Sequence, residues 1–174
     1  SKGGHSLYSD KDYFSASSAS AIIGQSGLGE FSNVDLQKLL AGKNVSVRPY
    51  IAELEEGLSG NCRPEDLETM LQLTHLFFTK PRKDNEAFMS YINRQKAILQ
   101  NISSNPTYYF YDQASKFLAQ NNPRGGGIPT PEEIAKIDSN RVFEIYQERF
   151  QNAGDFTFFI VGNFELEKIK PDRK

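Results

Sequence analysis

The sequence predicts an α+β domain in which helices pack on one face of a small, mostly antiparallel sheet. Apolar residues recur at helical spacing over most of the 174 residues. Residues 44–62 change to a two-residue alternation, which is typical of strands. The segment "DFTFFIVGNF" is apolar almost throughout, as a buried strand is. A sheet of two or three strands is too small for the predicted helices to pack on. We therefore expect further strands ahead of Ser1. Residues 1–174 are then a single domain and a fragment of a longer, multi-domain polypeptide.

The first half of the chain carries two predicted helices. The first covers residues 13–24, where small residues permit close packing against a neighbour. The second is "NVDLQKLLAG". Ser32 has the position of its N-cap, and Asp35 occupies the third helical position. Gly42 follows the last apolar pair, as a C-terminal glycine does.

A β-hairpin is predicted next, with strands at residues 44–53 and 57–62. Val45, Val47 and Ile51 alternate with polar neighbours, as in a half-buried strand. Pro49 has no N–H to donate to a sheet, which predicts that the first strand lies at an edge.

The remaining helices are marked by their start signals. Proline or a capping side chain stands where each helix begins. The predicted helices begin at Pro64, at Asp84, after Asn105, at Pro131 behind a Thr130 cap, at "DSNRVFEIYQERF" and at Glu165.

Composition excludes several classes of function. The formal net charge is −2, so the chain has no overall field that attracts nucleic acid. We therefore expect no nucleic-acid partner. No stretch of about 20 apolar residues is present, so we expect no membrane insertion. Cys62 is the single cysteine, which excludes an internal disulfide and a cysteine-based zinc cluster.

The small-residue stretch "SASSASAIIGQSGLGEFS" does not fit the glycine-containing motifs that it superficially suggests. A phosphate loop needs a lysine after its last glycine, and none follows here. A nucleophile elbow around Ser26 needs a second glycine where Leu28 stands. A helix end is the better interpretation of this segment.

The titratable residues do not form a recognisable catalytic set. His5 lies in a glycine-rich N-terminal turn, and His75 lies on a helix among apolar residues. No His-x-x-His or His-x-x-x-His spacing occurs, so we expect no catalytic zinc in this chain. Glu53, Glu55 and Glu56 are interpreted as the rim of the hairpin.

The order of elements, together with three segments, carries a resemblance to a known family. The segments are Gly42-Lys43-Asn44 before the edge strand, "FTKPRKDNEAF", and the ending "YQERFQNAGDFTFFIVGNFE". The chain resembles a single domain of the pitrilysin/insulinase family of zinc metallopeptidases, the inverzincins. It is most similar to the bacterial branch that is named after pyrroloquinoline-quinone biosynthesis. The resemblance covers nearly the whole chain and implies the mitochondrial-processing-peptidase-like metallohydrolase fold.

The resemblance also implies where catalytic residues stand in active relatives. Their first helix carries His-x-x-Glu-His, in which two histidines bind zinc and the glutamate is the general base. The corresponding positions here are Ser18 and Ile22 for the ligands and Ala21 for the base. The distant glutamate ligand of the family corresponds to Gln100 or Asn101. All of these positions lack the family's chemistry.

We therefore expect a non-catalytic domain from the C-terminal half of such a peptidase. By this resemblance the chain forms part of the substrate chamber, holds no cofactor and is inactive alone. Zinc is expected in the catalytic domain of the parent, a zinc metalloendopeptidase. The edge strand that contacts peptide in active relatives corresponds to residues 44–50. Peptide is thus predicted to bind at Asn44, Val45, Ser46 and Val47.

The expected partners are other domains of the same polypeptide and a peptide or protein substrate, with a homodimer as a further expectation. The resemblance implies a bacterial periplasm or cell envelope. The alternative function is a structural, assembly or peptide-binding module with no link to proteolysis. A His-x-x-Glu-His helix upstream in the same polypeptide distinguishes the two. An independent enzyme is the least supported function, because no constellation of side chains supplies its chemistry.

Overall fold

The computed structural model describes residues 1–120, 122, 124–125 and 128–163. The helix predicted to begin at Glu165 lies outside these residues. The helices and strands are α1 (Tyr13–Ile23), α2 (Asn33–Leu39), β1 (Val45–Ile51), β2 (Glu56–Cys62), α3 (Leu67–Thr79), α4 (Asn85–Ser103), α5 (Pro106–Leu118), α6 (Pro131–Ile134) and α7 (Ser139–Phe150). Short 3-10 turns occur at His5–Leu7, Pro64–Asp66 and Ala153–Asp155.

β1 and β2 form an antiparallel hairpin, and α1 and α3 pack against it. The register pairs Val45 with Cys62 at one end and Ile51 with Glu56 at the other. The predicted α+β class is confirmed. The predicted strand bounds agree with the observed ones to within two residues.

The N-terminal residues extend the hairpin on its outer side. The Ser1 amine donates to the Glu56 carbonyl at 2.8 Å, and the Glu56 N–H donates back to the Ser1 carbonyl at 3.3 Å. Further along, the Gly3 N–H donates to the Leu54 carbonyl and the His5 N–H to the Ala52 carbonyl. Residues 1–5 therefore run antiparallel to residues 52–56.

The core lies between α1, α7 and the hairpin. Ala16 and Ala19 are fully buried, and these small side chains let α7 approach α1 closely. On α7, the Tyr146 ring stacks on Phe150 with centroids 4.4 Å apart. The Tyr146 hydroxyl donates to the Phe77 carbonyl on α3, so this buried polar atom is satisfied.

The helix starts follow the predicted caps. Ser32 accepts from the Asp35 N–H, and Thr130 forms a capping box with Glu133. The side chains of Asp84 and Asn105 accept from the first N–H groups of α4 and α5. Within the described residues, no helix has the length and apolar content needed to cross a bilayer.

The strand predicted from "DFTFFIVGNF" is not formed. Residues 156–161 belong to no helix or strand and expose Phe159 at 86% and Val161 at 97%. An apolar run becomes a buried strand only when a partner satisfies its backbone groups, and a groove separates these residues from β2. Phe164, the last residue of the predicted strand, lies outside the described residues.

Candidate functional site

A groove opens between α1, α2 and β1, with a volume of about 500 Å³. We call it the α1–β1 groove. Ala21 and Gln25 border it on the α1 side, and Asn33 and Gln37 border it on α2. β1 forms the remaining side with residues 45–49. Leu28, Leu73 and Phe77 also line the groove and are buried core residues.

β1 presents a free backbone edge beside this groove. The Arg63 N–H donates to the Asn44 carbonyl, and the Ala52 N–H donates to the Glu55 carbonyl. Because bonded pairs alternate along an antiparallel ladder, the even-numbered residues of β1 direct their backbone groups toward β2. The odd-numbered residues Val45 and Val47 therefore direct theirs away from β2.

Pro49 limits this edge. It is the next odd-numbered residue and has no N–H, so it offers only its carbonyl. Its ring lies against Gly24 at the end of α1. The edge between Val45 and Pro49 thus presents two N–H donors, both close to the middle of the groove.

The four predicted peptide-binding residues occupy different environments. Val45, Ser46 and Val47 line the groove. Asn44 is not among the lining residues, and its backbone is already bonded: its N–H donates to the Asp66 carboxylate at 2.9 Å and its carbonyl accepts from Arg63. The structure therefore brings three of the four residues to one site.

The positions that correspond to the family motif are also separated. Ser18 is buried, and its hydroxyl accepts from the Tyr91 hydroxyl at 3.2 Å. Ile22 is a core residue, and Ala21 alone faces the groove. A methyl group, a branched aliphatic chain and a hydroxyl already bonded to tyrosine do not supply the imidazole, carboxylate or thiolate donors of a zinc site. These residues do not fit a zinc ion.

The distant positions Gln100 and Asn101 are exposed on α4. α4 reaches α1 earlier in its length, through the Tyr91–Ser18 bond and through Arg94, whose guanidinium donates to Gln25 at 3.0 Å. Gln100 lies six residues beyond Arg94, which is roughly 9 Å along a helix. Tyr91 and Arg94 were not predicted from the sequence. The placement of Tyr91 on the apolar side of α4 was the available signal.

The side chains that line the groove are mostly neutral. Gln25, Asn33 and Gln37 offer neutral amides, and Arg48 is the one charged side chain among the described lining residues. Away from the groove, at the start of α4, the bond from the Ala87 N–H lowers the pKa of Asp84. The described lining thus offers neutral hydrogen-bonding groups and one guanidinium, but no carboxylate or imidazole.

His5 and His75 do not meet in a metal site. His75 is exposed on α3, while His5 packs edge-on against the Tyr13 ring. Nowhere in the described ranges do three or more His, Cys, Asp or Glu side chains converge to hold a metal ion.

The sequence of the chain is similar to segments of two zinc proteases. No family model matches the chain. Two curated relatives do: the probable zinc protease PqqL of Haemophilus influenzae is 23% identical over 97% of the chain, and its counterpart in Escherichia coli is 24% identical over 87%. The resemblance to zinc proteases of the pitrilysin/insulinase family is confirmed. The chain spans only 18% and 16% of these two relatives.

Solved structures of such proteases share the fold. The periplasmic protease PqqL from Escherichia coli superposes with a TM-score of 0.74 at 22% identity, over 95% of this chain and 18% of that one. A mutant of the ferredoxin protease FusC, in complex with Arabidopsis ferredoxin, gives a TM-score of 0.65 at 18% identity. That match covers 86% of this chain and 16% of FusC. At these identities the two structures establish the fold of the domain.

Proposed function

We propose that this chain is a non-catalytic domain of a zinc-dependent endopeptidase, where it forms part of the substrate chamber and holds extended peptide along β1. The single observation that carries the proposal is the free edge of Val45 and Val47 beside the α1–β1 groove. An extended peptide can pair with such an edge through main-chain hydrogen bonds, while its alternate side chains enter the groove.

The non-catalytic role rests on the chemistry of α1. Ser18, Ala21 and Ile22 provide no zinc donor set, and no acid or base lines the groove among the described residues. The zinc and the catalytic base of the parent then belong to another domain of the same polypeptide. We also propose that the parent lies in the periplasm or cell envelope, a proposal supported by one structure of the same fold that is described as a periplasmic protease.

Peptide binding is tested by NMR titration of the 174-residue chain with a blocked peptide of alternating valine and threonine, flanked by lysines for solubility. We expect the amide signals of Val45 and Val47 to shift and their hydrogen exchange to slow, because their N–H groups acquire partners. The Ser46 amide is an internal control, because it faces β2. Unchanged signals at Val45 and Val47 would contradict the proposal.

A matched pair of variants separates the groove from general surface effects. Ala21→Arg places a long side chain in the groove from an exposed helix position, so the fold is preserved. It should weaken peptide binding by a factor of about ten, or about 1.4 kcal/mol. Ala97→Arg makes the same change on the exposed face of α4, outside the groove, and should bind peptide as the unmodified chain does. Equal loss in both variants would argue against the groove as the site.

The link to proteolysis is tested on the parent polypeptide. A peptidase parent carries His-x-x-Glu-His in a separate domain and hydrolyses peptides. Ala21→Arg should then raise its KM and leave its zinc content unchanged. Peptide binding without any such motif in the parent would favour the alternative function, a peptide-binding module with no proteolytic role.

A further inference from the structure

Arg48 differs from the other arginines in the described part of the chain. Each of the others donates from its guanidinium to a side-chain oxygen: Arg63, Arg82, Arg94, Arg124, Arg141 and Arg149. The Arg48 guanidinium forms no ion pair or hydrogen bond with a described residue, and its side chain is exposed. It is also the one charged side chain among the described residues that line the α1–β1 groove.

The alternation of β1 decides which face of the hairpin carries Arg48. Val45 and Val47 pack against the core, so the Arg48 side chain lies on the opposite face of the strand. Its cross-strand partner in β2 is Ser59. The β1 residues two positions away on the same face are a serine and a tyrosine. These neighbours carry no negative charge that would neutralise the guanidinium.

This placement determines what an extended peptide on the free edge presents to Arg48. A peptide that pairs antiparallel with β1 bonds to Val45 and Val47 from residues whose side chains turn toward the groove. The peptide residue opposite Arg48 then forms a non-hydrogen-bonded pair, in which Cβ atoms approach to about 4.5–5.5 Å. Its side chain lies on the same face as Arg48. Opposite charges in such a pair attract each other, and like charges repel.

We propose that the α1–β1 groove selects extended segments that carry an aspartate or glutamate opposite Arg48 and apolar residues at the two flanking positions. This inference rests on the proposed peptide-binding function and adds the class of peptide. The apolar flanks follow from the groove wall, to which Leu36 and Leu40 contribute beside Val45 and Val47. The acidic residue follows from the unpaired guanidinium, which repels a lysine or arginine at that position.

The test titrates the 174-residue chain with four peptides, each acetylated and amidated so that no terminal carboxylate competes. The reference peptide alternates valine and threonine between lysine flanks. In two others a central threonine is replaced by glutamate or by lysine. In the fourth a central valine is replaced by glutamate, which has the same charge but turns toward the groove. The NMR signals of the Val45 and Val47 amides report binding.

The position of the charge should set the order of affinity. We expect glutamate in place of threonine to lower the Kd about threefold at low salt, and lysine there to raise it by a similar factor. Glutamate in place of valine should bind no more tightly than the reference. The preference should fade at about 1 M salt, where the Debye length falls to about 3 Å.

Three variants assign the preference to one residue. Arg48→Gln should bind the threonine, glutamate and lysine peptides equally, and Arg48→Glu should favour the lysine peptide. Lys96→Gln is the control, because it removes one positive charge from the exposed face of α4 and should keep the order of the unmodified chain. All three substitutions are at exposed positions, so the fold is preserved.

The outcomes separate this inference from the function on which it rests. Equal affinity for the glutamate, threonine and lysine peptides, with the Val45 and Val47 amides still shifting, would overturn the charge selection and leave peptide binding intact. A preference for glutamate that survives Arg48→Gln would also overturn it, because another group would then be responsible. No shift of these amides with any of the four peptides would overturn both.

Discussion

Glu56 is the most deeply buried charged side chain among the described residues, with 0% of its surface exposed. Its carboxylate accepts from the Arg149 guanidinium at 2.8 and 3.1 Å and from the Gly4 N–H at 2.6 Å. The bond to Glu56 is also the main reason that the pKa of Arg149 is raised. This one side chain therefore connects the N-terminal segment, β2 and α7.

Removing the arginine that pairs with Glu56 should lower the stability of the fold. Arg149→Met leaves the Glu56 carboxylate buried without its cation, and we expect the free energy of unfolding to fall by about 3 kcal/mol. Urea denaturation measures the change. Arg63→Met is the control, because the Arg63–Glu65 pair is exposed and its loss should cost at most about 0.5 kcal/mol. Similar decreases in the free energy of unfolding of both variants would show that the buried pair stabilises the fold no more than the exposed pair does.

At the scale of the element, Asp84 begins α4. Its carboxylate accepts from the Glu86 and Ala87 N–H groups at 2.9 and 3.0 Å and lies 3.4 Å from Arg82. The bond from the Ala87 N–H is the largest cause that lowers its pKa from the ordinary 3.8. A carboxylate whose pKa falls on folding stabilises the folded state above its ordinary pKa, and this stabilisation disappears as the pH falls through the lowered value.

Two substitutions separate the cap from its charge. Asp84→Ala should lower stability by about 1 kcal/mol at pH 7, because two N–H groups lose their acceptor. Asp84→Asn keeps an acceptor and loses only the charge. Its deficit relative to the unmodified chain should therefore be present at pH 7 and shrink below about pH 4. Thermal unfolding between pH 3 and 7 measures both, and a deficit for Asp84→Asn that does not change with pH would contradict the assignment.

The sequence predicted best those helices and strands whose ends are fixed by interactions between residues close together in the chain. The caps at Ser32, Asp84 and Thr130 each bond to an N–H two or three residues away, so the sequence displays the whole interaction. Glu56 was expected at the rim of the hairpin, but it is buried. Its partner Arg149 is 93 residues distant, so the sequence does not display this ion pair. Residues 156–161 have the composition of a strand, but their structure depends on whether a neighbouring strand pairs with them.

At the scale of the whole molecule, the candidate site is assembled from three elements that are separate in sequence. Alternation predicted the strand, and Pro49 predicted that it lies at an edge. The family resemblance pointed to Asn44–Val47 as the peptide site and to α1 as the position of the degenerate motif. The contacts of Tyr91 with Ser18 and of Arg94 with Gln25 depend on how α4 crosses α1. Helix packing of this kind is decided by the tertiary fold, so spacing along the chain did not indicate it.

The metal content of the purified chain follows from this assembly. We expect far less than one zinc per chain by elemental analysis after dialysis, because the α1 positions supply no zinc donors. Full-length PqqL from Escherichia coli, a probable zinc protease, serves as the positive control. About one zinc per chain would contradict this expectation, and would mean that His5, His75, Cys62 or carboxylates meet in space.

Pro49 has a consequence for how long anything remains on β1. Only Val45 and Val47 offer N–H groups before the proline interrupts the edge, and each main-chain hydrogen bond contributes about 1 kcal/mol net. An extended segment paired there is therefore retained weakly and released quickly. In the proposed role as part of a substrate chamber, such brief residence would let fragments leave as fast as new segments arrive. The same interruption opposes the indefinite sheet growth by which exposed edges seed fibrils.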